Sequence, residues 1–160
     1  MTIKTSGSGL TPRQLDRAAG VLLGAACGDA LGVPYEFARP PGPGEMPVMK
    51  GGGLGPYSPG EYSDDTQMAV CIAQVAATGA DLCSVEALDQ IATNFLGWAA
   101  RGATDIGSQT RAVLSGARRD RTAGPADALR ATAAQLHERT GRTAGNGSLM
   151  RTGVDRKSVV

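Results

Sequence analysis

The sequence contains little of what several large protein classes require. Its 160 residues include six aromatic side chains, one histidine and three cysteines. The formal net charge is +1, so there is no extended positive field to attract a phosphate backbone, which argues against a nucleic-acid partner. An odd number of cysteines without a C-x-x-C or Cys/His pair argues against a zinc site, and we expect buried, reduced thiols at Cys27, Cys71 and Cys83.

Long apolar runs are also missing. The longest covers residues 18–28 and ends at Asp29, whereas a bilayer span needs about 20 apolar residues. The first residues lack the basic and apolar regions of a secretory signal. We therefore expect a cytoplasmic protein without a membrane partner.

The composition favours helices. Alanine and glycine make up nearly a third of the chain, while β-branched and aromatic residues are few and do not alternate over the length of a strand. We expect one all-α domain, covering residues 11–154, behind a disordered lead-in at residues 1–10. Residues 155–160 are what a common sequencing-adapter string encodes in one reading frame, and we expect this tail to be an artefact.

Capping residues and glycines predict where the helices begin and end. Thr11 and Pro12 begin the first helix, and Gly20, Gly24 and Gly28 form a stripe along it that we interpret as a groove for a partner helix. Further helices are expected to begin at Ser63, at Ser84, near Asp105 and at Gly124-Pro125. Seven glycines and six prolines between residues 38 and 60 predict a long surface loop, which in a compact domain is often a functional lid or disordered.

The sharpest local feature is the run Ser63, Asp64, Asp65, Thr66, where the long loop meets the second helix. Two adjacent carboxylates flanked by hydroxyls are hard oxygen donors of the kind that magnesium, manganese or calcium prefers. The alternative is an ordinary helix start, because serine caps helices and acidic residues in the first turn complement the helix dipole.

Three further features are weak when taken singly. The run Gly145, Asn146, Gly147, Ser148 could let a backbone approach a phosphate, although Asn-Gly pairs also mark plain turns. Asp105 could cap a helix or act in a site. Glu36, just before the long loop, could be a simple surface acid.

Taken in order, the motifs GAACGDALG with Tyr35-Glu36, then SDDTQ, DIGSQTR and GNGSLMR resemble the ADP-ribosylglycohydrolase family over residues 14–153. The resemblance implies a compact orthogonal array of helices and a binuclear Mg2+ or Mn2+ centre. It also implies release of ADP-ribose from a modified protein side chain or a small ADP-ribose conjugate. A non-catalytic member that binds ADP-ribose or only packs, and a hydrolase of another glycoside, are the alternatives.

The resemblance also implies roles for individual residues. Ser63, Asp64 and Asp65 would be metal ligands, with serine where many members have threonine. Glu36 would be the acid near the metal, on or beside the mobile lid, and Asp105 would be the acid near the scissile glycosidic bond. One of the two would act as general base or proton shuttle. Gly145, Asn146, Gly147 and Ser148 would contact the phosphates and ribose.

One element of the family pattern is missing. The family completes its metal centre with a second acidic cluster, Asp-x-Asp-Thr/Ser, near the C-terminus of a longer chain, and the sequence after Asp105 has no such cluster. We therefore expect the 160-residue polypeptide to be the N-terminal part of the domain, inactive alone, and to expose apolar patches that lower its solubility.

Overall fold

Helices make up most of the protein. The computed structural model describes residues 11–119 and 122–154. In this part, five α-helices follow one another: Pro12–Gly32 (α1), Asp64–Ala76 (α2), Val85–Ala100 (α3), Ser108–Ala117 (α4) and Pro125–Thr140 (α5). Two 3-10 segments cover Val33–Tyr35 and Asn146–Val154. The described ranges contain no β-strand, so the all-α prediction is confirmed. The predicted lead-in at 1–10 and the predicted artefactual tail at 155–160 lie outside the described residues.

Most of the predicted helix ends are confirmed. Thr11 caps α1 through a reciprocal capping box with Gln14, and Pro12 occupies the first helical position. The Ser84 side chain accepts a hydrogen bond from the Ala87 amide at the start of α3. Helix α5 ends at Gly141, whose φ of 62° lies in the left-handed region that glycine adopts without steric cost.

Two sequence predictions are wrong. Helix α4 begins at Ser108, not near Asp105, because Gly107 occupies the N-cap position and leaves Asp105 in the preceding loop. Of the three free cysteines only Cys71 is buried, while Cys27 and Cys83 are exposed. Cys27 lies on the outer side of α1, and Cys83 lies in the connection before α3, where little of the chain covers it.

The core forms around α2 and α3. Helix α2 packs against α1, α3 and the 3-10 segment Asn146–Val154, while α5 packs against α3 and α4. Met68 of α2 is 1% exposed and is the largest fully buried side chain. The buried cluster around it consists of Cys71, Phe95, Trp98, Ile106 and Leu114. Helix α2 therefore packs against three other elements, and its first turn carries the acidic residues.

One face of α1 has no packing partner within the described residues. Ideal Cβ atoms built at Gly20, Gly24 and Gly28 would meet no atom within 4 Å, so the predicted groove receives no helix here. Leu23 on this helix is 66% exposed. The segment Pro12–Tyr35 is long and apolar enough to cross a membrane by length and composition alone, a test that buried core helices and signal sequences also pass. The uninterrupted apolar run at residues 18–28 is therefore shorter than the apolar segment that this helix forms.

The region between residues 38 and 60 is irregular, as its glycines and prolines predict. Its one bridge among the described residues joins Gly52 to Tyr57. Gly53, with a φ of 75°, lies so close to the 3-10 segment that a Cβ atom there would be 2.3 Å from the Val33 carbonyl oxygen. Tyr57 is buried. The second half of the loop is thus packed onto the helical body beside the start of α2.

Candidate functional site

The predicted acidic pair lies in the first turn of α2. Asp64 and Asp65 are the first two residues of the helix and are half-buried. Ser63 occupies the N-cap position and is 4% exposed. The two carboxylates are therefore at the positive end of the helix dipole, which favours their ionised forms.

Ser63 does not cap α2 with its own side chain, contrary to the simple helix-start interpretation. Its hydroxyl donates to Asp29 Oδ1 at 2.6 Å, and its amide donates to both Asp29 oxygens at 3.1 and 3.0 Å. Thr66 donates its amide to Asp29 Oδ2 at 3.0 Å and its hydroxyl to the same atom at 2.7 Å. The last turn of α1 thus supplies the cap for the first turn of α2. The Ser63 hydroxyl oxygen keeps its lone pairs for another partner.

Negative charge accumulates at this point of the molecule. Burial raises the pKa of Asp64 to about 7, with further contributions from the charges of Asp65, Asp105, Glu36 and Asp29. The pKa of Asp65 is also raised, first by burial and then by the charges of Asp29 and Asp105. The charges that act on Asp64 thus come from four parts of the chain: the end of α1, Glu36, α2 itself and the loop before α4.

Glu36 and Asp105 flank the start of α2. Glu36 follows the 3-10 segment Val33–Tyr35 and is exposed, yet desolvation by the surrounding protein and the charges of Asp105, Asp65 and Asp29 raise the pKa of its carboxyl. Asp105 is half-buried in the loop before α4. The charges of Asp65 and Asp105 thus act on Glu36, and the roles expected of Glu36, Asp64, Asp65 and Asp105 stay predictions.

Tyr57 connects the long loop to this acidic region. Its hydroxyl lies 3.5 Å from Thr104 Oγ1, next to Asp105. Burial raises the pKa of Tyr57, the hydrogen bond from Thr104 acts in the opposite direction, and the charges of Asp105, Asp64 and Asp29 raise it further.

The predicted substrate loop lies beside the start of α4. The Gly145 amide donates to Gln109 Oε1 at 3.3 Å, so this N–H group already has a partner. A Cβ atom at Gly147 would be 3.2 Å from Thr110 Oγ1. Asn146 and Ser148 are exposed. The loop is therefore held against the residues that follow Asp105.

Arg151, in the same 3-10 segment, extends from this loop towards α2. Its guanidinium lies 5.1 Å from the centre of the Phe95 ring and donates to Met68 Sδ at 3.4 Å. Burial lowers the pKa of Arg151, and the charge of Asp64 acts in the opposite direction. Arg151 is thus a positive group of the described chain whose charge interacts with the acidic region.

Sequence reasoning assigned no role to Asp29, Tyr57 or Arg151. Asp29 stands inside the quoted motif GDALG, and Arg151 ends the motif GNGSLMR, so both could have been considered as site residues. Tyr57 lies in a glycine-rich loop without periodicity, and its burial could not be predicted from the sequence.

The donor chemistry of this region fits a hard cation in part. Ser63, Asp64 and Asp65 supply only oxygen atoms, and their negative charge is incompletely compensated. However, among residues 11–119 and 122–154 no group of three acidic, histidine or cysteine side chains converges closely enough to hold an ion. The described residues can thus supply some, but not all, of the ligands that Mg2+ or Mn2+ requires.

Comparisons with known proteins identify relatives of this chain. Two relatives are named ADP-ribosylarginine hydrolase Tri1. The one from Pseudomonas putida (strain GB-1) is 51% identical over 65 residues, which are 40% of this chain and 17% of the relative. The one from Serratia proteamaculans (strain 568) is 47% identical over 60 residues, 38% of this chain and 16% of the relative.

A third relative covers more of the chain. The protein named ADP-ribosyl-[dinitrogen reductase] glycohydrolase, from Rhodospirillum rubrum, is 35% identical over 112 residues, 62% of this chain and 34% of the relative. The matched regions therefore span between about a sixth and a third of these curated relatives. The sequence profile described as ADP-ribosylglycohydrolase matches residues 10–154. The chain belongs to the ADP-ribosylglycohydrolase family.

Proposed function

We propose that the acidic region at the start of α2 is part of the active site of a metal-dependent ADP-ribosyl hydrolase. The reaction would hydrolyse the glycosidic bond between ADP-ribose and a protein side chain or a related acceptor. One observation carries the proposal: Asp64 and Asp65 are half-buried in the first turn of α2, where burial and the charges of neighbouring carboxylates raise the pKa of Asp64 to about 7. Such perturbation is characteristic of functional sites.

Ser63, Asp64 and Asp65 are the residues that would hold Mg2+ or Mn2+, with two ions in the complete centre. When bound, the metal would orient the ribose hydroxyls and make a water molecule more acidic. An ion would also keep Asp64 ionised at neutral pH, since positive charge nearby favours the carboxylate.

The roles proposed for the remaining residues are those that the family resemblance implies. Cleavage of a glycosidic bond develops positive, oxocarbenium-like charge on the sugar, and the surrounding carboxylates stabilise that charge. Either Glu36 or Asp105 takes a proton from the attacking water. A raised pKa brings Glu36 closer to the working pH, which suits a general base or proton shuttle. The loop of Gly145, Asn146, Gly147 and Ser148 contacts the phosphates and the ribose.

The substrate that we propose is an ADP-ribosylated protein, with arginine as the acceptor, because two relatives carry ADP-ribosylarginine in their names. We propose a cytoplasmic location with neither a membrane nor a nucleic acid as partner. Since the sequence after Asp105 lacks the second acidic cluster, we also propose that the 160-residue polypeptide does not turn over substrate by itself.

Calorimetry on the 160-residue chain tests the cation site. Because the chain supplies only part of the ligand set, titration with Mn2+ should give weak but saturable binding, and the variants Asp64→Asn and Asp65→Asn should weaken it at least tenfold, because each removes a charged ligand. Asp127→Asn is the matched control, since Asp127 is an exposed residue of α5 that forms an ion pair with Arg130. Equal Mn2+ binding by the wild type, Asp64→Asn and Asp65→Asn would contradict the assignment.

Two further measurements test the rest of the proposal. An assay with ADP-ribosylated arginine should detect no release of ADP-ribose by the 160-residue chain, and measurable turnover would overturn the proposed inactivity. Titration with ADP-ribose should give binding that is stronger with Mn2+ than without it. Equal affinity in both conditions would instead favour a non-catalytic ADP-ribose binder.

A further inference from the structure

We infer that Asp29 is the positioning residue of the acidic site, and that its carboxylate orients Asp64 and Asp65 for a cation. The inference rests on the proposed function and extends it to a residue with no contact to the ion. Asp29 receives four donor groups, the amides and hydroxyls of Ser63 and Thr66, at 2.6 to 3.1 Å. We call this arrangement the Asp29 clamp.

The position of the clamp in the sequence explains its effect. Ser63 and Thr66 are the residues on either side of Asp64 and Asp65, so the clamp fixes both ends of the tetrapeptide. Both anchor residues are buried, at 4% and 3% exposure. With its two ends hydrogen-bonded to Asp29, the backbone that carries Asp64 and Asp65 is held against the last turn of α1.

An ordinary cap would not need a carboxylate from another helix. Serine at an N-cap position usually accepts the amide hydrogen bond itself, but here Ser63 makes no such bond and donates its hydroxyl hydrogen to Asp29 instead. That leaves the oxygen lone pairs of Ser63 free to face a cation. The clamp thus converts the Ser63 hydroxyl from a cap into an available ligand.

The charge of Asp29 is also unfavourable for packing alone. Within the described ranges no lysine or arginine forms an ion pair with its carboxylate, which adds a further negative charge beside Asp64 and Asp65. Repulsion of this kind is relieved when a divalent cation binds. A residue that orients ligands without touching the metal typically contributes about 10- to 100-fold to metal affinity.

The test compares Asp29→Asn with a control variant at another aspartate that caps a neighbouring helix. Asp89 of α3 accepts a hydrogen bond from the Ala126 amide at the start of α5, at 2.8 Å, so Asp89→Asn also removes an interhelical cap. Calorimetry of the 160-residue chains should show Mn2+ binding at least tenfold weaker for Asp29→Asn and unchanged for Asp89→Asn. Equal Mn2+ affinity for the wild type and Asp29→Asn would overturn the inference.

Thr66→Val provides a second variant, because it keeps the shape of a buried side chain and removes one donor of the clamp. We expect it to weaken Mn2+ binding severalfold, and we expect the double variant with Asp29→Asn to be no weaker than Asp29→Asn alone. Fully additive losses in the double variant would show that the two residues act separately and would refute the clamp.

Amide hydrogen exchange supplies a readout that does not need the metal. In Asp29→Asn the Ser63 and Thr66 amides should exchange at least tenfold faster, while the Val75 amide near the end of α2 keeps its rate. Unchanged exchange at both anchors would refute the clamp even if Mn2+ binds. Wild-type chain that shows protected anchors but binds no Mn2+ would instead refute the proposed cation site.

Discussion

The raised pKa of Asp64 predicts that the metal-free protein loses stability as the pH rises. An acid whose pKa is higher in the folded state than in the unfolded state holds its proton more tightly when folded. Its contribution to stability is therefore fully present below pH 4 and is lost as the pH rises to about 7. Asp65 and Glu36, whose pKa values are also raised, act in the same direction.

The size of the effect follows from the position of Asp64. A change from the ordinary value of 3.8 to about 7 corresponds to roughly 4 kcal/mol if it is fully expressed. Asp64 is only half-buried, and solvent screens its interactions, so we expect roughly 1 to 2 kcal/mol. The variant Asp64→Asn should remove this part of the pH dependence because asparagine does not titrate.

Urea unfolding followed by circular dichroism, with a chelator present, measures this directly. The free energy of unfolding of the wild type should fall by roughly 1 to 2 kcal/mol more than that of Asp64→Asn between pH 4 and pH 8. Asp16→Asn is the control, since Asp16 is an exposed residue of α1 and the variant should keep the wild-type slope. Identical pH slopes for the wild type and Asp64→Asn would refute the coupling of these carboxylates.

Two substitutions test the packing that supports the site. Met68→Ala should lower the free energy of unfolding by about 2 to 5 kcal/mol, because it leaves a cavity at the centre of the core. Urea unfolding measures this loss, and a loss below about 1 kcal/mol would contradict the prediction. Gly53→Ala should destabilise the protein more than Gly52→Ala does. Both glycines have a positive φ, but only at Gly53 would the new Cβ atom collide with the Val33 carbonyl oxygen. Equal melting temperatures for the two variants would argue against close packing of the loop on the 3-10 segment.

Local sequence signals predict much of this fold. The Thr11 capping box, the Ser84 cap and Gly141 in the left-handed region each depend on a few neighbouring residues, so the ends of α1, α3 and α5 can be predicted from the sequence. The start of α4 could not be predicted as well, since an aspartate near a helix start is an equally good cap or loop residue. Only the surrounding structure decides between the two.

In the site, too, features formed by neighbouring residues can be predicted from the sequence, and contacts between distant residues cannot. The acidic pair at Asp64 and Asp65 is adjacent in sequence and can be found there. The proximity of Glu36 and Asp105 to this pair was inferred from family resemblance, because residues about 30 to 40 positions apart carry no local sequence signal that they lie close together in the fold. The Asp29 clamp could not be predicted, since a serine that caps its own helix and a serine that donates to a distant aspartate look the same in the sequence.

Stability and cation binding should respond to the acidic residues in opposite ways, and this separates a functional site from a structural one. Neutralising Asp64 removes repulsion, so Asp64→Asn should be more stable than the wild type at pH 8 and should bind Mn2+ less well. Neutralising Asp29 instead disrupts hydrogen bonds to a charged acceptor, each contributing about 1.5 to 3 kcal/mol, so Asp29→Asn should be less stable and also bind Mn2+ less well. A purely structural role for both residues predicts that each substitution destabilises the fold, and two losses of stability at pH 8 would favour that role. Higher stability of Asp64→Asn together with lower stability of Asp29→Asn would indicate that the hydrogen bonds to Asp29 hold repelling carboxylates near one another, an arrangement that a bound cation would stabilise.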